Sequence, residues 1–179
     1  MSALAGPGVV LVAALLLLAP TGAAAPASSA GPVFRIARVV DGDTVDLTNG
    51  AKVRLVQIDT PEVYFGMECY GLQASATTKR LLPPGTLVRL LVEPKTDRVD
   101  QYGRLLRYVI RVRDRLNVNV RLVAVGAAAP YFYLGRRGRF ARLLDLLARR
   151  ARAHQLGLWR ACPRTPYRPT AAVDTGPPR

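Results

Sequence analysis

The chain has 179 residues, half of them apolar, so it has the length of one domain and can bury one hydrophobic core. Its 26 Lys and Arg against 12 Asp and Glu give a net charge of +14, which indicates a polyanionic partner such as nucleic acid or an anionic membrane surface. One histidine and two cysteines argue against a zinc site or another metal site built on nitrogen ligands.

Residues 1–25 carry no charged side chain and contain the apolar run VVLVAALLLLA, which is followed by small residues. This pattern is typical of a secretory signal peptide, and the run is short for a membrane span. We therefore expect the protein to be exported, with residues 26–32 as a linker before the folded domain. The alternative is that the same segment stays uncleaved and anchors the protein in a membrane.

Three short apolar runs follow from Val33, namely VFRIARVV, TVDLT and KVRLVQI, separated by Asp-Gly and Asn-Gly turn signals. They predict three consecutive antiparallel strands. Helix formers in YGLQASATTKRLL predict a helix over residues 71–82, which ends at the sequence PPG. The runs TLVRLLVEP and RLLRYVIRVRD return to strand character, which gives five strands with one helix inserted after the third.

The rest of the chain is predicted to be helical and then irregular. NVNVRLVAVG is ambiguous between strand and helix, but its asparagines and its closing glycine favour a helix. In GRFARLLDLLARRARAHQLGLW, helical spacing predicts an amphipathic helix with one buried face, made of Phe140, Leu143, Leu144, Leu147, Ala151 and His154. Residues 163–179 are proline-rich without periodicity, so we expect a disordered tail that can be removed without loss of activity.

These elements predict an α+β domain over residues 33–162, mainly β, with a five-stranded Greek-key barrel of the OB type and about three helices. Barrels of this type often bind oligonucleotides, although a fold alone does not establish a function. Cys69 and Cys162 are an even number of cysteines in a chain expected to be exported, so we predict that they form one disulfide.

The few carboxylates of this basic chain are concentrated around the first three strands. Asp43 follows a turn and Asp59 ends the third strand, so adjacent strand ends could bring the two together. Carboxylate oxygens suit a hard cation such as Ca²⁺ better than a transition metal. The alternative is that DGD is an ordinary Asp-Gly hairpin turn. Arg54 and Asp59 would lie on opposite faces of a regular strand, unless a twist or bulge changes the strand.

Four motifs, DGDTV, RLVQIDTPE, YGLQAS and DQYGR, resemble in order and spacing the staphylococcal nuclease family, which are secreted Ca²⁺-dependent phosphodiesterases on an OB barrel. The resemblance covers about residues 34–160. It implies that Asp43 and Asp59, with the main-chain carbonyl of Thr60, hold Ca²⁺. It also implies that Asp41 lies next to these ligands without binding the metal itself.

The resemblance further implies that Glu62 positions or deprotonates the attacking water, and that Arg54 and Arg104 neutralise the phosphoryl oxygens in the transition state. Tyr102 and Tyr131 fall where the family contacts the nucleotide. These residue types fit the chemistry, because an anionic phosphodiester resists a nucleophile unless a metal and planar guanidinium groups supply positive charge.

One departure from the family is Gln101 in DQYGR, which replaces a lysine that contacts a terminal phosphate in the family. We expect a monomeric, secreted nuclease without membrane insertion that hydrolyses DNA and RNA to 3′-phosphate ends. Single strands should be preferred, because exposed aromatic side chains stack on unpaired bases. The alternatives are a catalytically inactive OB-fold module that binds nucleic acid, and a polyanion binder at a membrane or cell wall. The complete set of acidic and basic site residues argues against both.

Overall fold

The computed structural model describes residues 31–64 and 66–178. In this part of the chain the strands are β1 (Val33–Val39), β2 (Thr44–Leu47), β3 (Lys52–Leu55), β4 (Ile58–Asp59), β5 (Leu87–Val92), β6 (Leu105–Arg111) and β7 (Ala129–Pro130). The α-helices are α1 (Gly71–Leu81), α2 (Val118–Ala124), α3 (Ala141–Ala153) and α4 (Leu158–Ala161). Within the described residues, no helix is both long enough and apolar enough to span a membrane. The predicted signal peptide and linker residues 26–30 lie outside the described residues.

Five strands close into a barrel in the order β1, β2, β3, β6, β5, and β5 pairs back to β1. Neighbouring strands are antiparallel except for β3 and β6, which are parallel. Alternate side chains point into the core, where Val45, Val53, Leu55, Val88 and Val109 are buried. The predicted α+β fold with an OB-type barrel is therefore confirmed. The short strands β4 and β7 form a separate pair beside it.

The run KVRLVQI is interrupted and does not form the single strand that its composition predicts. β3 ends at Leu55, and Gln57 adopts a left-handed conformation with φ of 65° before β4 begins. The buried Gln57 side chain donates to the carbonyl of Arg136 at 2.6 Å and accepts from the N–H of Gly138 at 2.8 Å. These bonds hold an unfavourable main-chain conformation in place.

The predicted helix over residues 71–82 is present as α1, and it packs tightly against the loop that carries Glu62. A Cβ atom at Gly71 would lie 2.4 Å from the carbonyl oxygen of Glu62, so only glycine fits this approach. The ambiguous run NVNVRLVAVG forms helix α2, as expected. The Asn117 side chain caps it by accepting a hydrogen bond from the N–H of Val120.

The C-terminal amphipathic helix is confirmed as α3, but its buried face differs from the prediction. Ala141, Leu144, Ala148 and Ala151 are buried, whereas Leu143 and His154 of the predicted face are exposed. The small alanines let α3 approach the core closely, so the contact face is centred on them. Leucine is more hydrophobic than alanine, so a prediction based on hydrophobicity alone centres the buried face of α3 on the wrong residues.

The proline-rich residues 163–178 have almost no regular secondary structure, yet they pack against the domain, which differs from the predicted disordered tail. The Tyr167 hydroxyl donates to Asp145 at 2.6 Å, and the N–H of Phe132 donates to the carbonyl of Pro169 at 2.6 Å. Contacts of this kind use single side chains and main-chain groups. They leave no periodic pattern in a sequence, so the packing of this segment could not be predicted from it.

The predicted disulfide between Cys69 and Cys162 is present, with Cα atoms 6.1 Å apart. It joins the loop after β4 to the end of α4. The loop that carries Glu62 is thus held by its packing against α1 and by this bridge at Cys69.

Candidate active site

Arg54 lies between two carboxylates at the centre of the candidate site. Its guanidinium nitrogens are 3.0 Å from Asp43 Oδ2 and 2.5 Å from Asp59 Oδ1. All three side chains are largely buried, with 14% of Arg54, 7% of Asp43 and 10% of Asp59 exposed. The structure therefore brings together three residues that the sequence places on two strands and at the start of a third.

Two local features of the main chain produce this convergence. The antiparallel register sets Thr44 opposite Arg54, so Asp43, immediately before β2, lies beside the guanidinium. The left-handed turn at Gln57 then reverses the face on which Asp59 projects, and this explains how two residues five positions apart contact each other. The regular-strand geometry that would have separated them does not apply.

The turn DGD connects the antiparallel strands β1 and β2, as a hairpin turn does, and it also carries the Asp43 carboxylate. Asp41 Oδ1 accepts hydrogen bonds from the main-chain N–H groups of Asp43 and Thr44, at 3.0 Å and 2.7 Å. A Cβ at Gly42 would lie 2.3 Å from the Thr60 hydroxyl. Asp41 thus stabilises the turn, and Gly42 allows Thr60 to approach it.

Asp43 is held by hydrogen-bond donors in addition to Arg54. Its Oδ2 accepts from the N–H and the hydroxyl of Thr60, at 3.0 Å and 3.1 Å. Burial raises the pKa of Asp43 and of Asp59, against the lowering effect of the Arg54 charge. Two buried carboxylates that each resist ionisation would be stabilised as anions by a bound cation.

The donor set here consists of oxygen atoms. Among the residues that the structure describes, no three side chains of His, Cys, Asp or Glu form a group that could hold a metal ion by themselves. Asp43 and Asp59 could supply two carboxylate ligands, and Thr60, whose carbonyl is the third predicted ligand, bonds to Asp43 through its N–H and hydroxyl. This chemistry fits a hard cation that keeps several water ligands, and it does not fit zinc.

Glu62 lies on the exposed loop after β4, close to the buried carboxylates. Partial burial, followed by the negative charges of Asp59 and Asp41, raises the pKa of Glu62. Its main-chain N–H donates to Glu68 Oε2 at 3.1 Å, and its carbonyl accepts from the N–H of Glu68 at 2.9 Å. Glu68 therefore shapes the loop, a role that no sequence signal indicated.

Arg104 reaches the site because β3 and β6 pair in parallel, with Arg54 opposite Leu106. Asp100 fixes it, since its Oδ2 accepts from Arg104 Nε at 2.7 Å and its Oδ1 accepts from the main-chain N–H of Arg104 at 2.9 Å. Partial burial raises the pKa of Asp100, but these hydrogen bonds outweigh it and lower the pKa overall. Asp100 is the first residue of the motif DQYGR. Its position in a tight turn close to Arg104 was therefore a sequence signal that it fixes this arginine.

A cleft of about 390 Å³ opens beside the buried cluster, and both Arg54 and Arg104 line it. Its wall includes Tyr102, whose ring lies under the Arg104 guanidinium at 5.2 Å, and Tyr131 and Tyr133, whose ring centres are 6.3 Å apart. Tyr102 and Tyr133 are 73% and 56% exposed, so their rings are available to a ligand. Tyr133 was missed, although its spacing of two residues from Tyr131 in PYFY is a signal for it.

The C-terminal segment borders the site on the side of Asp59. The main-chain N–H of Val173 donates to Asp59 Oδ2 at 2.8 Å, and the Val173 side chain is buried. Further along, the carbonyl of Gly176 accepts from the N–H of Cys69 at 2.7 Å. The segment predicted to be a free tail thus contacts a candidate metal ligand directly.

Comparison with known proteins gives a consistent result. Residues 52–161 match the family described as Staphylococcal nuclease homologue. Thermonuclease of Staphylococcus intermedius is 33% identical over 135 residues, which cover 72% of this chain and 77% of that protein. Endonuclease YncB of Bacillus subtilis is 34% identical over 128 residues, 68% of this chain and 59% of that protein. An uncharacterized endonuclease of Escherichia coli O157:H7 is 33% identical over 128 residues, 70% of this chain and 75% of that protein.

Proposed function

The chain belongs to the staphylococcal nuclease family, and we propose that it is a secreted, Ca²⁺-dependent nuclease that cleaves DNA and RNA and leaves 3′-phosphate ends. Its relatives named thermonuclease and endonuclease support hydrolysis of phosphodiester bonds. The observation that carries the proposal is the buried cluster of Asp43, Arg54 and Asp59, whose Arg54 lines a cleft together with Arg104.

In this proposal Asp43, Asp59 and the Thr60 carbonyl hold Ca²⁺, which when bound supplies positive charge to the phosphodiester. Arg54 and Arg104 donate hydrogen bonds to the non-bridging phosphoryl oxygens, where negative charge grows in the transition state. Both guanidinium groups are already fixed by carboxylates, so little reorganisation is needed when the substrate binds.

Glu62 is the candidate general base. Its side chain is exposed to solvent, and its raised pKa makes it a better proton acceptor than an ordinary surface glutamate. The loop contacts from Glu68 and the close packing against Gly71 limit its movement. We assign to Glu62 the task of orienting the attacking water and accepting its proton.

The aromatic wall of the cleft supports a preference for unpaired nucleotides. Tyr102, Tyr131 and Tyr133 present rings that can stack on bases, and a base is free to stack on them when its strand is single. Export is supported by the apolar N-terminal residues and by the disulfide, which is typical of oxidising compartments. We propose a monomer as the active form.

Removal of Ca²⁺ tests the proposal directly. We expect hydrolysis of single-stranded DNA to stop in excess EGTA and to return when Ca²⁺ is added in excess of the chelator. Mg²⁺ should support little turnover, because it demands tighter octahedral geometry. The measurement is release of acid-soluble nucleotides with end-group analysis of the products. Full activity in EGTA would contradict the proposed metal, and no activity under any condition would favour the inactive binding module.

Binding of nucleic acid should weaken steeply with salt, because each phosphate contact releases counterions. For the Glu62→Gln variant and a single-stranded oligonucleotide, we expect log K to fall linearly with log salt, by roughly 0.7 per phosphate contact. The measurement is fluorescence anisotropy at several KCl concentrations. Affinity that does not change with salt would show that the arginine-rich surface makes no phosphate contacts.

A further inference from the structure

Residues 169–176, here called the C-terminal strap, run along the edge of the carboxylate cluster. The strap is attached at three places: Phe132 at its start, Asp59 in its middle and Cys69 at its end. The middle contact is made by the main-chain N–H of Val173, which donates to Asp59 Oδ2 at 2.8 Å. It joins two groups that are far apart in sequence and buried in the fold.

The two oxygens of Asp59 thus have different partners. Oδ1 accepts from Arg54 at 2.5 Å, and Oδ2 accepts from the N–H of Val173. Arg54 also bonds to Asp43 and is proposed to bind the phosphodiester, whereas the N–H of Val173 has no proposed role toward the substrate. Val173 therefore provides the contact that orients the Asp59 carboxylate independently of substrate binding.

The strap is held firmly on both sides of this contact. The Val173 side chain is 8% exposed and packs in a small cluster with Ala129 and Trp159. Beyond it, the Thr175 hydroxyl donates to the carbonyl of Cys69 at 2.7 Å. Because Cys69 is also bonded to Cys162, from which the C-terminal segment departs, the disulfide and the strap form one closed unit.

We propose that Val173 is a positioning residue, whose main-chain N–H orients Asp59 for cation binding and makes the C-terminal strap part of the metal site. This inference rests on the proposed function. Hydrogen-bond partners behind metal ligands commonly change metal affinity by about 10- to 100-fold. A carboxylate oxygen has two lone pairs, so the N–H of Val173 leaves one free for a cation. The expectation that the tail is dispensable is thereby reversed.

Calcium titration of truncated chains tests this role. The first variant ends at Ala172 and lacks Val173, and the matched control ends at Pro177 and keeps the whole strap. By isothermal titration calorimetry we expect the first to bind Ca²⁺ about 10- to 100-fold more weakly than the full chain. The control should bind as the full chain does. Equal affinity of both truncations would overturn the proposal, and tighter binding by the shorter one would show that the strap competes with the cation.

A pair of point variants separates the N–H from the packing of the side chain. Val173→Pro removes the N–H, whereas Val173→Ala keeps it and only shortens the side chain. We expect the calcium concentration for half-maximal activity to rise at least tenfold more in the first than in the second. At saturating Ca²⁺, kcat should recover in both. A kcat that stays low at saturating Ca²⁺ in Val173→Pro would overturn the positioning role, because the defect would then lie outside cation binding.

The same titrations distinguish failure of this inference from failure of the proposed function. A full chain that binds no Ca²⁺ and cleaves no nucleic acid would overturn both. A full chain that binds and cleaves normally, beside a truncation at Ala172 with unchanged Ca²⁺ affinity, would overturn the role of Val173 alone. Circular dichroism of each variant shows whether the barrel is intact.

Discussion

Glu62→Gln is expected to lower the turnover of single-stranded DNA by about 10²- to 10⁴-fold, because the amide cannot accept the proton of the attacking water. Arg104→Lys is expected to lose about 10²- to 10³-fold, since a lysine ammonium cannot keep both the bond to Asp100 and a forked contact with a phosphate. Both residues are at least partly exposed, so the fold should be retained. The measurement is steady-state kinetics at saturating Ca²⁺, beside thermal unfolding of each variant.

Arg54→Lys should be at least as damaging to turnover, and the structure adds a cost in stability. Arg54 bonds to Asp43, to Asp59 and to the carbonyl of Ile58, and lysine cannot reach all of them. A matched control is Arg38→Lys, which alters an Arg–Asp pair whose arginine is 68% exposed. The control should behave as the parent. Turnover of the three site variants within threefold of the parent would show that the site has been placed wrongly.

Loss of the disulfide is expected to produce the largest change in stability. The bridge joins residues 93 positions apart. If the bridge acts by restricting the unfolded chain, a loop of this length adds about 4–5 kcal/mol to the free energy of unfolding. For a domain of this size, that corresponds to a fall in Tm on the order of 10 °C. The comparison is calorimetry of the parent with a Cys69→Ser, Cys162→Ser variant.

Turnover at room temperature should change much less than Tm, provided that Ca²⁺ is saturating, because the bridge contacts no reacting group. Non-reducing peptide mapping of the protein isolated from its native host supplies the control. If both cysteines are alkylated without prior reduction, the bridge is absent in the native protein and the prediction fails.

The barrel could be predicted because its determinants are local. Alternating residues such as Val53 and Leu55 mark the strands, and the turn signals between them fix the order of the hairpins. The closing pair of β3 and β6 joins distant parts of the chain and has no local signal. The barrel as a whole was expected because five strands with one helix after the third suit a Greek-key barrel of the OB type.

Prediction of the candidate site from the sequence succeeded for residues whose side chains suit the proposed chemistry. It failed for residues that contribute through their main chain. Asp43, Arg54 and Asp59 were named as candidate site residues, and the structure places them together. Gln57 was missed, because a positive φ in a residue other than glycine cannot be inferred from an apolar run. Val173 was missed for a related reason, since an N–H group is common to nearly all residues.

The parallel pairing of β3 with β6 also has a consequence for the time course of folding. Arg54 on β3 and Arg104 next to β6 are far apart in sequence, and they share one cleft only after these two strands have paired. Long-range pairings are slow steps because a large loop must close before they gain contacts. A partly folded chain therefore has no site for a phosphodiester. Recovery of activity during refolding would report barrel closure itself, and a cell would be protected from the nuclease until the chain has finished folding.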